Sequence, residues 1–323
     1  MSRHKPVRAA KALAALLSSS VALTVMAPDA AAHVAQPVTP PSAERYCTAD
    51  AHPELADRIN RDIARALADR RSTVSFTVWD EASGLSCSLR PKAHYDAASI
   101  VKVTIMAATL LRAQQEDRPL AAWEESSLKS MITQSDNQAA TDLYTSLGVP
   151  FIQYTLRRSG MNDTTLDPEG NWGLTQVTAQ DEMRQLDVYT VNGDVLSARN
   201  KAYGLRLMSE VEPSQRWGTP FGAPGSVKVH VKNGWLQRVT RGWRVHSLGV
   251  FTRPGQLYQM AVLTDDDPTM SYGIGTIQRI AWHVNRDLAE FRDDPATGVP
   301  PYEPDYRGSE VGDGTADPVS RVP

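Results

Sequence analysis

Ser99-Ile100-Val101-Lys102-Val103-Thr104-Ile105-Met106-Ala107-Ala108-Thr109-Leu110-Leu111 is apolar almost all the way round a helical wheel. Such a helix belongs inside a core rather than on a surface. The segments on either side of it decide the fold. Upstream, Thr73 to Asp80 alternates with Val74, Phe76 and Val78 on one face; Ala82-Ser83-Gly84 makes a turn, and Leu85 to Leu89 alternates again, a β-hairpin. Before the hairpin, Leu55, Ile59, Ile63, Ala66 and Leu67 recur at helical spacing over residues 53–70. Downstream, residues 124–147, 150–159 and 178–191 read as helices, and strands return only at Val227 to Val231, Arg244 to Thr252 and Leu257 to Thr264. A final helix over 274–290 turns Ile277, Ile280, Ala281, Val284 and Leu288 inward. The simplest packing is an α+β fold: a five-stranded antiparallel sheet flanked by the N- and C-terminal helices, with an all-helical subdomain (about 99–224) inserted between strands two and three. The seam between sheet and insert is the natural cleft.

The two ends differ from this middle. Arg3, His4, Lys5, Arg8 and Lys11 precede an apolar stretch from Ala12 to Met26 and the small run Ala30-Ala31-Ala32, so residues 1–32 are expected to be a secretory signal peptide. The stretch is shorter than the ~20 residues of a spanning helix and Ser18-Ser19-Ser20 interrupts it, so no membrane span is expected. Residues 33–45 read as a linker, 46–290 as the folded domain, and 291–323, rich in Asp, Pro and Gly, as a disordered tail. The expected destination is extracellular. Of 323 residues, 41% are hydrophobic, enough for a substantial core, and a formal net charge of −3 offers nucleic acid or an anionic membrane no attraction. Cys47 and Cys87 are a disulfide candidate in an oxidising compartment and buried thiols in a reducing one; the signal favours the bridge. Closing a loop of that length stabilises by roughly 4 kcal/mol in the chain-entropy model. Two cysteines and seven histidines without ligand spacing point to no metal site, and no cofactor or oligomer is expected.

Three short motifs follow in chain order. In Ser99-Ile100-Val101-Lys102, residues i and i+3 share a helix face, which brings Lys102 Nζ within reach of Ser99 Oγ. A helix N-terminus also offers backbone N–H groups to a developing oxyanion. The spacing alone is weak, since Ser126 to Lys129 repeats it, but that copy lies in a polar helix whereas Ser99 opens the apolar one. The second motif is Ser135-Asp136-Asn137, whose residue types equally suit helix capping. The third, Lys232-Asn233-Gly234-Trp235, continues an alternating segment, though Asn-Gly also suits a turn.

Together, in this order, they resemble the SxxK, SDN and KTG set of penicillin-recognising serine enzymes. The stretch from Ile132 to Ala140 is similar to the class A β-lactamase helix around SDN, and Thr240-Arg241-Gly242 falls where many class A enzymes carry an Arg-Gly pair near the substrate carboxylate. The resemblance covers nearly all of 50–290. It implies an exported serine hydrolase acylated at Ser99 by a β-lactam or related amide. Lys102 would take the proton, Ser135 would relay one to the leaving nitrogen, and Asn137 would bind the substrate amide and hold Lys102. Lys232 would place positive charge near the substrate carboxylate, Arg241 could grip that carboxylate, and the backbone N–H groups of Ser99 and Trp235 would form the oxyanion hole.

The pattern breaks in two places. Asn233 replaces the usual Thr or Ser, exchanging a hydroxyl contact for an amide one, and Trp235 follows Gly234 where a small residue is usual. More seriously, the ExxLN stretch whose Glu activates the deacylating water is missing. The corresponding region, residues 165–175, reads TLDPEGNWGLT, with Glu169 as its one glutamate and Asp167 as a weaker candidate. Without a positioned base an acyl-enzyme persists, since general-base help is commonly worth 10²–10⁴ in rate. Two alternatives therefore stand beside the hydrolase: a D,D-peptidase or penicillin-binding enzyme that deacylates slowly on cell-wall peptides, and a non-catalytic binding module on the same fold.

Overall fold

The computed structural model describes residues 45–293. The expected signal peptide, nearly all of the linker and the tail from residue 294 lie outside the described residues. A six-stranded antiparallel sheet is built from β1 (Cys47–Thr48), β2 (Thr73–Asp80), β3 (Leu85–Leu89), β6 (Lys228–Gln237), β7 (Trp243–Arg253) and β8 (Gln256–Asp267), in the order β1-β3-β2-β8-β7-β6. Helices α1 (Pro53–Leu67) and α8 (Met270–Phe291) pack together over it, and Ile59, Ile63, Phe76, Val262, Ile277 and Ile280 fill the core between. The insert supplies α2 (Val101–Gln115), α3 (Ala122–Thr133), α4 (Asn137–Leu147), α5 (Val149–Ser159), α6 (Ala179–Tyr189) and α7 (Ala198–Ser209). Its core is organised around α2, nearly all of whose side chains are buried.

Several expectations need correction. The sheet has six strands rather than five, because Cys47–Thr48 adds an edge strand too short to show alternation. Cys47 pairs with Cys87 across β1 and β3, their Cα atoms 3.9 Å apart and their sulfurs bonded. Asn60 completes the edge, its Oδ1 accepting from Tyr46 N and Cys47 N while its Nδ2 donates to Cys47 O. The insert is not all helical: β5 (Gln176–Thr178) pairs with β4 (His94–Asp96) in a small second sheet. The single helix expected over 124–147 is two, α3 and α4, broken at Ser135, whose φ is +61°. Asp136 caps the second, accepting from Ala139 N at 3.1 Å, so the capping reading of the triplet holds at Asp136. Helix α7 carried no expectation, and α8 includes Phe291, the first residue assigned to the tail.

One core feature is unusual. Glu182 of α6 is fully buried and neither carboxylate oxygen has a hydrogen-bond partner. Burial, with Asp181 nearby, pushes its carboxyl up to about 8, so it is held neutral below that pH.

Candidate active site

Ser99 lies in a 3₁₀ turn, Ala98–Ile100, that leads directly into α2. The turn is held from both sides. Asp96, at the end of β4, receives Arg244 (3.1 Å), Arg238 (3.3 Å) and Gln176 Nε2 (2.6 Å) on its carboxylate, while its carbonyl accepts from His246 Nε2 at 2.9 Å. With Nε2 donating, His246 Nδ1 accepts from Thr264 N, so the ring is neutral; full burial lowers its pKa to about 4. One residue on, Ala97 N donates to Thr175 O at 2.8 Å. Ala98 then adopts φ +47°, a left-handed conformation costing a non-glycine residue about 1–3 kcal/mol. That strained turn delivers Ser99 against β6. A Cβ on Gly234 would sit 2.7 Å from Ser99 N and 2.8 Å from Ile100 N, so only glycine allows the approach.

The three motifs meet in one cluster around Lys102 and Ser135. Lys102 Nζ contacts Ser99 Oγ (2.7 Å), Ser135 O (2.7 Å), Ser135 Oγ (3.1 Å) and Asn137 Oδ1 (2.5 Å). An ammonium has three hydrogens at most, so four oxygens cannot all accept from it. Of the four, only the hydroxyls of Ser99 and Ser135 carry a proton to give back. Lys232 Nζ reaches Ser135 Oγ from the other side at 3.0 Å and donates to Asn233 O at 2.7 Å. A continuous hydrogen-bonded path therefore runs Ser99–Lys102–Ser135–Lys232, all of it buried. The break between α3 and α4 is what turns Ser135 into it.

A sequence profile of the β-lactamase enzyme family matches residues 125–288, just over half of the chain. The chain belongs to the β-lactamase enzyme family. This β-lactamase-family chain is a serine hydrolase acting on amide bonds, and its fold is that of class A enzymes. A class A β-lactamase from Bacteroides cellulosilyticus superposes with a TM-score of 0.63 at 18% identity, over 72% of this chain and 98% of that one. A β-lactamase from Xanthomonas campestris gives 0.62 at 16% identity over 72% and 98%, and one from Sphaerobacter thermophilus 0.61 at 19% over 72% and 97%. No curated protein sequence matches significantly.

Two residues of the expected β-lactamase-like set stand apart from the path. Glu169 is exposed on a turn folded around Asp167, whose Oδ2 accepts from Glu169 N, Asn171 N and Asn171 Nδ2. Neither carboxylate touches Ser99 or Lys102. The same loop sends Trp172 inward instead: its ring centre lies 4.9 Å from Lys102 Nζ, and its Nε1 donates to Thr141 Oγ1 at 3.1 Å. Arg241 is engaged elsewhere, with Asp265 at 2.8 Å and Asp266 at 3.7 Å. Asn233 is inside, its Nδ2 donating to Gln215 O and Trp217 O; Trp235, half-buried, has its ring 5.8 Å from that of Trp217.

Sequence reasoning missed Trp172, Asp96, Arg238 and Arg244. Nothing in a loop read only for its carboxylates singled out Trp172, and the ion-paired cluster joins residues 142 or more apart. Among the described residues no group of three or more His, Cys, Asp or Glu could hold a metal ion, and no helix is long and apolar enough to cross a membrane.

Proposed function

We propose that the enzyme is exported and is acylated at Ser99 by β-lactams or related amides, and that the acyl group leaves slowly. The observation carrying the acylation is the 2.7 Å contact between Lys102 Nζ and Ser99 Oγ within the path to Ser135 and Lys232. Unprotonated Lys102 takes the hydroxyl proton as Ser99 Oγ adds to the carbonyl carbon. The oxyanion lies between the backbone N–H groups of Ser99 and Trp235, a pairing supported by the close approach of β6 at Gly234. Ser135 passes a proton to the departing nitrogen as the C–N bond breaks, and Lys102 or Lys232 replaces it. Asn137 holds Lys102 and presents its amide to the substrate.

Slow release rests on the 165–175 loop. Its glutamate faces solvent and its tryptophan covers the lysine, an arrangement that favours the D,D-peptidase or penicillin-binding reading over rapid turnover. The test is intact-mass spectrometry after exposure to penicillin. A single adduct on Ser99 is expected, absent in Ser99→Ala, formed 10²–10⁴ more slowly in Lys102→Ala, and persisting after free penicillin is removed. Rapid steady-state hydrolysis of a chromogenic cephalosporin would overturn slow release. Failure of any adduct to form would overturn acylation and favour a binding module. Release of D-alanine from a cell-wall peptide would identify the peptide as substrate.

Export is supported by the basic and apolar N-terminal segment and by the Cys47–Cys87 bridge, since disulfides persist in oxidising compartments. Sequencing the N-terminus of protein recovered from culture medium checks it; a start near residue 33 is expected.

A further inference from the structure

Lys102 is wholly buried, and part of its enclosure is an indole. Its Nζ has oxygens around it: Ser99 Oγ, Ser135 O, Ser135 Oγ and Asn137 Oδ1. The face of Trp172 takes a further side, its ring centre 4.9 Å from Nζ. The oxygens hold or exchange the lysine's protons; the indole does neither. A water bonded to Nζ from the indole's side would lie ~2.9 Å from the nitrogen and about 2 Å from the ring centre, where non-bonded atoms need ~3.5 Å. Trp172 therefore bars water from that side of the lysine. The indole is also pinned. Its Nε1 donates to Thr141 Oγ1 on α4, and that hydroxyl donates to Asn137 O. The turn before it closes on Asp167, and just after it Thr175 O accepts from Ala97 N, two residues from Ser99.

We infer that Trp172 sets the lifetime of the acyl-enzyme by keeping water from Lys102. The inference rests on acylation at Ser99 with slow release, and names the residue that makes release slow. Once a proton has gone to the departing nitrogen, Lys102 is again a neutral amine beside the new ester. Hydrolysis would have it take a proton from a water as that water's oxygen adds to the acyl carbonyl carbon. The C–O bond to Ser99 Oγ would then break, with the proton passing from Lys102 to Ser99 Oγ. A base that no water can touch does not start this step. The 165–175 loop thus slows release twice: Glu169 faces solvent, and Trp172 disables the base that remains.

The experiment loads benzylpenicillin onto Ser99, removes the excess, and follows loss of the adduct by intact mass while the released product is identified. General-base help is worth 10²–10⁴, and a lysine reached through a new gap should recover part of it, so Trp172→Ala is expected to shed its adduct about tenfold faster or more. The product should be penicilloic acid, and acylation should be no faster than in the natural protein. General loosening would not give that split, because a distorted site slows both steps. Thr141→Val, at an exposed position, removes the acceptor of Trp172 Nε1 and should also speed release, whether or not the alanine variant folds. Trp172→Phe, which keeps a ring over the lysine, should restore slow release. Unchanged release in a folded Trp172→Ala, or in Thr141→Val if the alanine variant does not fold, overturns the inference and leaves slow release standing. So does a gain that survives in the Lys102→Ala/Trp172→Ala pair. Rapid release from the natural protein, or no adduct at all, overturns the proposed function and the inference with it.

Discussion

Gly234 has no side chain because β6 must touch the backbone that carries the nucleophile. Its absent Cβ would meet Ser99 N and Ile100 N below 3 Å, and neither neighbour is a flexible side-chain tip that could swing aside. Gly234→Ala is expected to cost about 1–3 kcal/mol of stability, as overpacking does, and to slow acylation by forcing β6 away from Ser99. Melting curves and the adduct rate measure the two effects; an alanine variant with both unchanged would show that the contact is not tight. At this scale the sequence is informative where a role depends on local spacing. Ser99 and Lys102 meet because i and i+3 meet. It is silent where a role depends on a partner's engagement: nothing near Arg241 says that Asp265 and Asp266 hold it, and nothing near Asn233 says that two carbonyls occupy its nitrogen.

At the scale of elements, the break between α3 and α4 does what a continuous helix could not. With Ser135 in a left-handed conformation, its carbonyl and hydroxyl both face Lys102, while Asp136 caps the next helix and sets Asn137 on its first turn. Asp136→Ala removes the cap and is expected to cost about 1 kcal/mol, read as a lower melting temperature. Acylation should also slow, because Asn137 is one residue from the lost anchor; Asp136→Asn, which can still cap, should restore both. The run from 124 to 147 reads as one helix because its apolar positions hardly change phase across the break. The strand Cys47–Thr48 and the β4–β5 pair escape for another reason: two or three residues do not make an alternation. The long elements α1, β2, β3 and α8 are legible because their apolar positions recur for several turns or pleats, and α2 because it is apolar nearly all round.

For the whole molecule, buried carboxyls make stability depend on pH in an uncommon direction. Glu182 is raised to about 8 and Asp267 to about 7, in both cases chiefly by burial, with Ser72 and Thr264 opposing the shift at Asp267. A carboxyl raised in the folded state binds its proton more tightly there. Its contribution is therefore complete below the ordinary carboxyl range and is lost as pH rises through the folded value. His246, lowered to about 4, acts oppositely, losing its contribution as pH falls below 6.5. His230 and His283, lowered by burial too, add to that opposing trend until the imidazoles of the unfolded chain are neutral; above about pH 7.5 the carboxyl trend prevails, and stability is expected to fall by up to about 1.4 kcal/mol per pH unit per group. Glu182→Gln should flatten much of that slope in melting temperature; an unchanged slope would assign it elsewhere. None of this was readable beforehand, because Glu182 follows Asp181 in the polar first turn of a helix and only packing shows that it points inward.

The short strand β1 also has a consequence for how molecules meet one another. A sheet edge is a row of unsatisfied backbone donors and acceptors, ready to template a neighbour's strand. Here that row, on β3, is capped by two residues held by one sulfur–sulfur bond and the amide of Asn60. Reduction should free the cap before it unfolds the domain, leaving a catalytic centre intact beside an adhesive edge. Light scattering on reduced protein, or on the Cys47→Ser/Cys87→Ser pair, is expected to report self-association while Ser99 still takes its label. The bond that looks like a stability device would then also be the guard against aggregation.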